Sequence, residues 1–171
     1  MAYLKPSATA PDAEGELLDK TLNTKDTIRA RLCLYKVKNR KVHDLSILVE
    51  LGHGLNGLPG ALHGGITATL LDEACGILVG ALVGPENRIL VDSAVHGRGI
   101  ATVWPFNRIA TAYLNTTYLK LIETPQVIII RTRLKERSGR KLFVYAQIED
   151  KNGIILAKGD SLFVVRREAN M

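Results

Sequence analysis

Residues 60–76, GALHGGITATLLDEACG, decide the fold: a His-Gly-Gly turn opens a long apolar segment with two acids in its middle. The turn and the apolar run predict an α-helix over 64–83. At helical spacing one face of this helix holds a single acid among apolar residues: Ala68, Leu71, Asp72, Cys75, Leu78, Val79 and Leu82. A buried carboxylate without a partner is costly, so an acid in the position of Asp72 is usually paired, neutralised or functional.

The second acid, Glu73, points about 100° away from Asp72 around the helix axis. We therefore expect the two acids not to share one site. The helix is also apolar enough to suggest a membrane span, but each acid at its centre would cost roughly 2.5 to 3.5 kcal/mol there. A buried core helix, with no membrane insertion, is the better prediction.

The bulk composition predicts one globular domain, because 171 residues with 46% hydrophobic content can bury a core. The net charge of +6 favours anionic partners such as phosphorylated cofactors, acidic carrier proteins or nucleic acid. Ordinary solubility is the alternative explanation of that charge. The low aromatic content, 5%, and the lack of a recognised motif argue against nucleic acid.

The cysteines and histidines indicate a reducing compartment without a metal site. Cys33 and Cys75 are isolated thiols, and none of the four histidines stands at zinc-ligand spacing to them. The acidic residues among the first twenty are atypical of signal and transit peptides. We expect a cytosolic protein, with a mitochondrial location left open, and no metal or cofactor apart from any carried by the substrate.

The order of predicted elements is typical of an α+β fold in which an antiparallel sheet wraps one central helix. Strands are predicted on both sides of a loop over 52–62 and the helix, at 26–37, 43–51, 108–120, 125–136, 140–150 and 153–166. Ser138-Gly139 and Asn152-Gly153 predict hairpin turns between the last three.

The predicted domain covers 25–171 and follows an extension over 1–24. In that extension we expect disorder over 1–13 and a short helical segment at 14–21. The stretch 84–107 is a long insertion that contains a candidate short strand and Trp104, Pro105 and Phe106. It is either a lid over a substrate or a peripheral insertion.

The chemistry suggested by the helix start is oxyanion stabilisation. The glycine pair Gly64-Gly65 offers backbone N–H groups at the positive end of the helix dipole. Together with the acid nine residues after His63, the segment resembles the motif HGGxxxxxxD of hotdog-fold acyl-CoA thioesterases of the 4-hydroxybenzoyl-CoA and phenylacetate type. It is most similar to the branch of thioesterase superfamily member 4, because residues 111–115 with Tyr118 match its TAxLN...Y strand and Gly139-Arg140-Lys141 follows.

The resemblance covers about residues 45 to 166, with 84–107 as the main departure. It implies a hotdog fold, an obligate dimer or tetramer, and metal-free hydrolysis of acyl-CoA to the acid and CoA. Asp72 would be the general base or nucleophile, Gly65 with Gly64 the oxyanion donors, and Thr111 a positioner of water. His63 would either transfer a proton or cap the helix start.

Helix geometry gives an independent argument about assembly. Gly65 and Asp72 are separated by roughly 10 Å along the helix axis at 1.5 Å per residue. Both groups must come within about 3 Å of one thioester. If both take part in catalysis, the site must therefore combine the turn of one subunit with the aspartate of another.

Candidates for binding the substrate's nucleotide lie around the hairpin at 136–141. Arg137, Arg140 and Lys141 could contact CoA phosphates, with the two arginines preferred, and Asn115 is a further candidate for substrate binding. A solvated charged face is the alternative interpretation of the cations.

The sequence leaves three functions open. The leading hypothesis is an acyl-CoA thioesterase of lipid metabolism. The second is a thioesterase for acyl or polyketide groups on a carrier protein, and the third is a non-catalytic acyl-CoA-binding protein. A hotdog dehydratase is disfavoured because the helix after Ile66 contains no histidine.

Overall fold

An antiparallel sheet wraps one long helix in the computed structural model, which describes residues 2–4, 17–38, 41–83 and 109–166. The helix is α1 (Gly64–Val83). The strands of the described ranges are β1 (Ala2–Leu4), β2 (Ile28–Lys38), β3 (Lys41–Leu51), β4 (Asn56–Leu58), β5 (Ala61–Leu62), β6 (Ile109–Tyr118), β7 (Gln126–Ser138), β8 (Lys141–Glu149) and β9 (Ile155–Val165). The main sheet has the order β1-β2-β3-β7-β8-β9-β6, and β4 pairs with β5 separately. The predicted α+β architecture is confirmed.

The predicted bounds hold because local signals set them. α1 begins and ends at the predicted residues, and each of the six predicted strands ends within two residues of its expected limits. Gly139 and Gly153 adopt φ angles of 58° and 79° in the hairpin turns. That left-handed backbone is accessible to glycine at little cost, so these residues mark the turns in the sequence as well.

Three segments differ from the prediction, and a fourth lies outside the residues that the structure describes. Ala2–Leu4 pairs with Cys33–Tyr35 of β2, where disorder was expected. The predicted loop over 52–62 contains a helical turn, His53–Leu55, and the short pair β4–β5. The predicted helical segment at 14–21 is described from residue 17, as a single turn, Leu17–Thr21. The strand and lid proposed within 84–107 lie outside the described residues.

The buried face of α1 is rotated from the predicted one. Its first half buries Thr67, Leu70, Leu71, Ala74 and Cys75, and every residue from Ala74 to Ala81 is buried. Ala68 and Leu82 are only half-buried, and Asp72 lies at the border of the buried face rather than at its centre. In a helix that is apolar on most sides, periodicity alone does not select the buried face.

α1 also has the length and mean hydropathy, 1.7, of a membrane span. More than half of that apolar window is buried within the protein, where strands β3, β6, β7, β8 and β9 contact it. Core helices of this kind meet the same length and hydropathy criteria as a membrane helix, so the helix is weak evidence for a span. Its packing agrees with the predicted core helix.

The strand β6 forms one edge of the main sheet and contains a bulge. Among the described strands it pairs with β9 alone, and one extra residue, Ala112, interrupts the register between Thr111 and Tyr113. The bulge resets the alternation of side chains, because an extra residue shifts the faces by one position. Thr111 and Tyr118 are seven residues apart, yet both lie opposite buried residues of β9, Phe163 and Ala157, on the face towards α1.

Candidate active site

His63 caps the start of α1. Its imidazole Nδ1 accepts a hydrogen bond from the Gly65 N–H at 2.9 Å, and its carbonyl oxygen accepts one from the Thr67 N–H at 3.1 Å. A side chain just before the first helical residue that bonds the second helical N–H is the usual helix cap. The structure thus shows the capping role that the sequence offered as an alternative to proton transfer.

The hairpin β4–β5 holds the His63 ring in place. A Cβ added at Gly57 would lie 2.8 Å from His63 Cδ2 and 3.1 Å from its Cα, so only glycine allows this approach. The hairpin is in turn attached to the segment before β7, because the side chains of Asn56 and Thr124 hydrogen-bond and the Thr124 N–H donates to Gly60 O. The position of the turn therefore depends on these contacts, which lie outside the His-Gly-Gly motif.

Tyr118, at the end of β6, contacts the same turn. Its hydroxyl donates to the Gly64 carbonyl oxygen at 3.0 Å, and its ring lies within 3.6 to 3.7 Å of the position that a Cβ of Gly64 would take. The Gly64–Gly65 peptide is thus bonded at its oxygen by Tyr118 and at its N–H by His63.

Asp72 lies further along α1 than the turn, beside the N-terminal end of β6. The Thr111 hydroxyl donates to Asp72 Oδ1 at 3.0 Å. Partial burial raises the pKa of Asp72 above its ordinary value, and the hydrogen bond from Thr111 opposes part of that rise. The side chain is a carboxylate that binds a proton more readily than an exposed aspartate, as a general base requires.

Glu73 points away from β6 and towards β2, near the opposite end of the strand order. Burial raises the pKa of its carboxyl, and the Arg31 guanidinium on β2 counteracts this in part. Arg31 itself forms an ion pair with Asp19. Because β2 and β6 lie on opposite sides of the sheet order, the two neighbouring acids of α1 face different surroundings, as their helical positions predict.

The remaining predicted site residues are spread over both faces of the sheet. Asn115 pairs with Asp160 on the outer face, away from Asp72. Arg137 pairs with Leu142, which is buried towards α1, and the register continues through Phe163 to Thr111. Arg137 therefore lies in the same cross-strand row as Thr111, roughly 14 Å away at 4.7 to 4.9 Å per strand.

Both arginines of the hairpin at 136–141 donate hydrogen bonds to backbone carbonyl oxygens. Arg137 Nε donates to Gly139 O at 3.4 Å, and Arg140 Nη1 donates to Val165 O at 3.1 Å. Both side chains are exposed, as is Lys141, which pairs with Val164. These contacts leave guanidinium N–H groups directed to solvent at the end of the sheet where β6 begins.

The structure thus brings Asp72 together with Thr111, and His63 together with Gly64 and Gly65, as two separate groups. The sequence pattern does not reveal that the hydroxyl of Tyr118 and the close contact at Gly57 hold the turn. The only sequence signal for Tyr118 was its place in the matched strand motif, which gives no contact.

Comparison with protein families identifies the family of the chain. Residues 59–157, more than half of the chain, match the family model of the thioesterase superfamily. The chain belongs to the thioesterase superfamily. The match includes the turn, α1, β6 and the hairpin with Arg137 and Arg140.

The chain of this thioesterase superfamily member is also similar to three individual proteins. Verlamelin biosynthesis protein B of Lecanicillium sp. is 28% identical over 88% of this chain and 72% of its own. Acyl-coenzyme A thioesterase THEM4 of Mus musculus is 32% identical over 67% of this chain, which spans only 37% of that relative. A putative thioesterase of Ralstonia eutropha, described as phenylacetic acid degradation-related, shares the fold with a TM-score of 0.61 and 16% identity, over 91% and 94% of the two chains.

Thr111→Ala should lower kcat more than it raises KM and should also move the pH profile of this thioesterase superfamily member. The hydrogen bond from Thr111 lowers the pKa of Asp72, so its loss raises that pKa further. If Asp72 is the catalytic base, it is active only when deprotonated, and the acid limb of kcat/KM then moves to higher pH.

The matched control for this experiment is Thr117→Ala, which removes an exposed hydroxyl from the outer face of the same strand. It should leave the acid limb in place. An unchanged limb in Thr111→Ala would contradict the coupling to Asp72 and would favour a threonine selected for its strand propensity alone.

Proposed function

We propose that this protein hydrolyses acyl-CoA thioesters to the free acid and CoA. The single observation that supports the proposal best is Asp72, a partly buried carboxylate with a raised pKa that accepts a hydrogen bond from Thr111. The mouse relative that is 32% identical is named an acyl-coenzyme A thioesterase. A non-catalytic acyl-CoA binder would have no need for this carboxylate at the border of its core.

In the general-base form of the reaction, Asp72 takes a proton from water while the water oxygen bonds to the thioester carbon. The carbonyl oxygen becomes an anion, which the Gly65 N–H stabilises after exchanging its bond to His63. The carbon–sulfur bond then breaks, and the thiolate receives the proton from Asp72. In the nucleophilic form, Asp72 bonds to the carbon first, the thiolate leaves, and water then hydrolyses the resulting anhydride.

We infer that each site combines two subunits. Gly65 and Asp72 lie roughly 10 Å apart along α1, so one helix cannot present both to one carbon. β6 provides the means of assembly, because it is a ten-residue edge strand with mostly exposed side chains. Unpaired edges of this length tend to associate with another strand.

The side-chain faces of β6 limit how two copies can pair. Directly opposed residues of an antiparallel pair lie on the same face. A two-fold axis at Asn115 meets this requirement, because Leu114 then opposes Thr116 on the face towards α1. The bulge at Ala112 next brings Tyr118 of the partner subunit opposite Thr111. Since Tyr118 contacts Gly64, this pairing directs the turn of one subunit towards Asp72 of the other.

The proposed place for the CoA phosphates is the exposed pair Arg137 and Arg140. Bonds to Gly139 and Val165 orient their guanidinium groups, and oriented guanidinium groups suit phosphate oxygens. Lys141 adds charge at the same end of the sheet.

The test compares one acyl group on three thiols: CoA, pantetheine and an acyl carrier protein. We expect the wild type to show a higher kcat/KM for acyl-CoA than for acyl-pantetheine. Replacing Arg137 and Arg140 with Gln together should raise KM for acyl-CoA and leave acyl-pantetheine unchanged. The control replaces Lys25 and Lys151 with Gln, which removes the same charge from the opposite end of the sheet.

Two results would count against this proposal, the first against phosphate binding by the arginines and the second against CoA as the preferred thiol. Equal effects of the arginine pair on both small thioesters would contradict phosphate binding. A much higher kcat/KM for the carrier-bound acyl group would favour the second candidate, a thioesterase for carrier proteins, to which the relative named for verlamelin biosynthesis draws attention.

A further inference from the structure

The peptide group between Gly64 and Gly65 is hydrogen-bonded at both of its polar ends. The Tyr118 hydroxyl donates to its carbonyl oxygen at 3.0 Å, and its N–H donates to His63 Nδ1 at 2.9 Å. This N–H is the one that would stabilise the anionic oxygen of a thioester. Whatever holds the carbonyl oxygen therefore acts on the donor through a single rigid, planar group.

We propose that Tyr118 is a positioning residue that orients and polarises the Gly64–Gly65 peptide, and so strengthens the Gly65 N–H as an oxyanion donor. The proposal rests on the proposed function. A hydrogen bond accepted by a peptide oxygen withdraws electron density from its nitrogen, and linked hydrogen bonds strengthen one another by about 10 to 30% each. The same bond fixes the rotation of the peptide plane, and oxyanion donors depend on such preorganisation.

The surroundings of Tyr118 favour this role over simple packing. Its hydroxyl donates to the Gly64 carbonyl oxygen although 56% of the side chain is exposed in the single chain. Its ring contact with Gly64 does not require the hydroxyl and would remain in a phenylalanine. The bulge at Ala112 is what leaves Tyr118 and Thr111 on the same face of β6, each bonded to one end of the helical segment that carries Gly65 and Asp72.

Tyr118→Phe tests the proposal, because it removes the hydroxyl and keeps the ring. Removing a whole oxyanion donor costs about 10² to 10³ in kcat. If the Tyr118 hydroxyl accounts for about 10 to 30% of the donor's strength, its loss removes the same fraction of the logarithm of that effect. We therefore expect kcat to fall by about 2- to 8-fold, with KM unchanged. The matched control is Tyr145→Phe, which removes a 3.0 Å hydroxyl bond to Gln147 on the outer face of β8 and should leave kcat unchanged.

A second readout follows the peptide itself. In protein labelled with ¹⁵N-glycine, the Gly65 amide signal of Tyr118→Phe should move upfield, because the nitrogen regains electron density when its peptide oxygen loses a donor. The signals of Gly139 and Gly153, in distant turns, should stay in place. Tyr145→Phe should not move the Gly65 signal.

The outcomes separate this proposal from the proposed function. A shifted Gly65 signal with a selective loss of kcat supports it. An unmoved signal overturns it, as does a moved signal with unchanged kcat, because the hydroxyl then does not act on the donor used in catalysis. A wild type that hydrolyses none of the three thioesters refutes the proposed function directly, before any variant is compared.

Discussion

Asp72→Asn should abolish most thioester hydrolysis and leave the fold intact. The amide keeps the size of the side chain and an oxygen that accepts from Thr111, but it can neither take a proton from water nor attack a carbonyl. Loss of a general base typically lowers the rate by about 10² to 10⁴. Steady-state kinetics with acyl-CoA measures the loss, and a thermal melt checks the fold.

The matched control is Glu73→Gln, which removes an acid from the next position of the same helix. Glu73 lies near Arg31 on the β2 side, away from Thr111, so its loss should change turnover little. Turnover at the wild-type rate by a folded Asp72→Asn protein would refute the assignment of Asp72. An equal loss in both variants would point to a general effect of charge on α1.

Two inactive variants should restore activity when they are mixed, if each site is shared. Asp72→Asn keeps the turn, whereas Gly65→Pro keeps Asp72 but has no N–H at position 65. A mixed dimer then contains one complete site. With random exchange about half of the dimers are mixed and each has one intact site of two, so activity should approach about a quarter of the wild-type value.

The complementation experiment requires that both variants dimerise and exchange subunits. Native mass spectrometry of differently labelled chains measures both. The control mixture pairs Asp72→Asn with a double variant that carries both changes, and it should remain inactive. No recovery despite measured exchange would refute the shared site. Full activity of Gly65→Pro alone would instead remove Gly65 from the proposed mechanism.

The sequence predicted the elements well, since their signals are local. α1 was predicted from the glycine turn and the apolar run, and the hairpins from Gly139 and Gly153, whose positive φ angles a sequence pattern can reveal. The thioesterase relationship depended on the spacing of His63, Gly64, Gly65 and Asp72, which a single helix carries.

The contacts around the site were less accessible because they depend on distant parts of the chain. The buried face of α1 is set by the strands around it, and the apolar sequence allows several faces. The bulge at Ala112 reverses the side-chain alternation in β6, and no pattern in the sequence indicates the bulge. The placement of Asn115 on the outer face and the bond between Tyr118 and Gly64 both depend on the path of that strand.

The bond between the Gly65 N–H and His63 Nδ1 sets up a competition between acceptors. Under the proposed function, a substrate oxygen must displace a neutral imidazole nitrogen from this N–H. The uncharged carbonyl oxygen of a thioester has little advantage in that exchange, whereas an anionic oxygen forms a hydrogen bond roughly twice as strong as a neutral one. The cap on the helix would thus make the donor selective for the charge that develops during the reaction, and would lower the barrier without tightening the binding of the ground state.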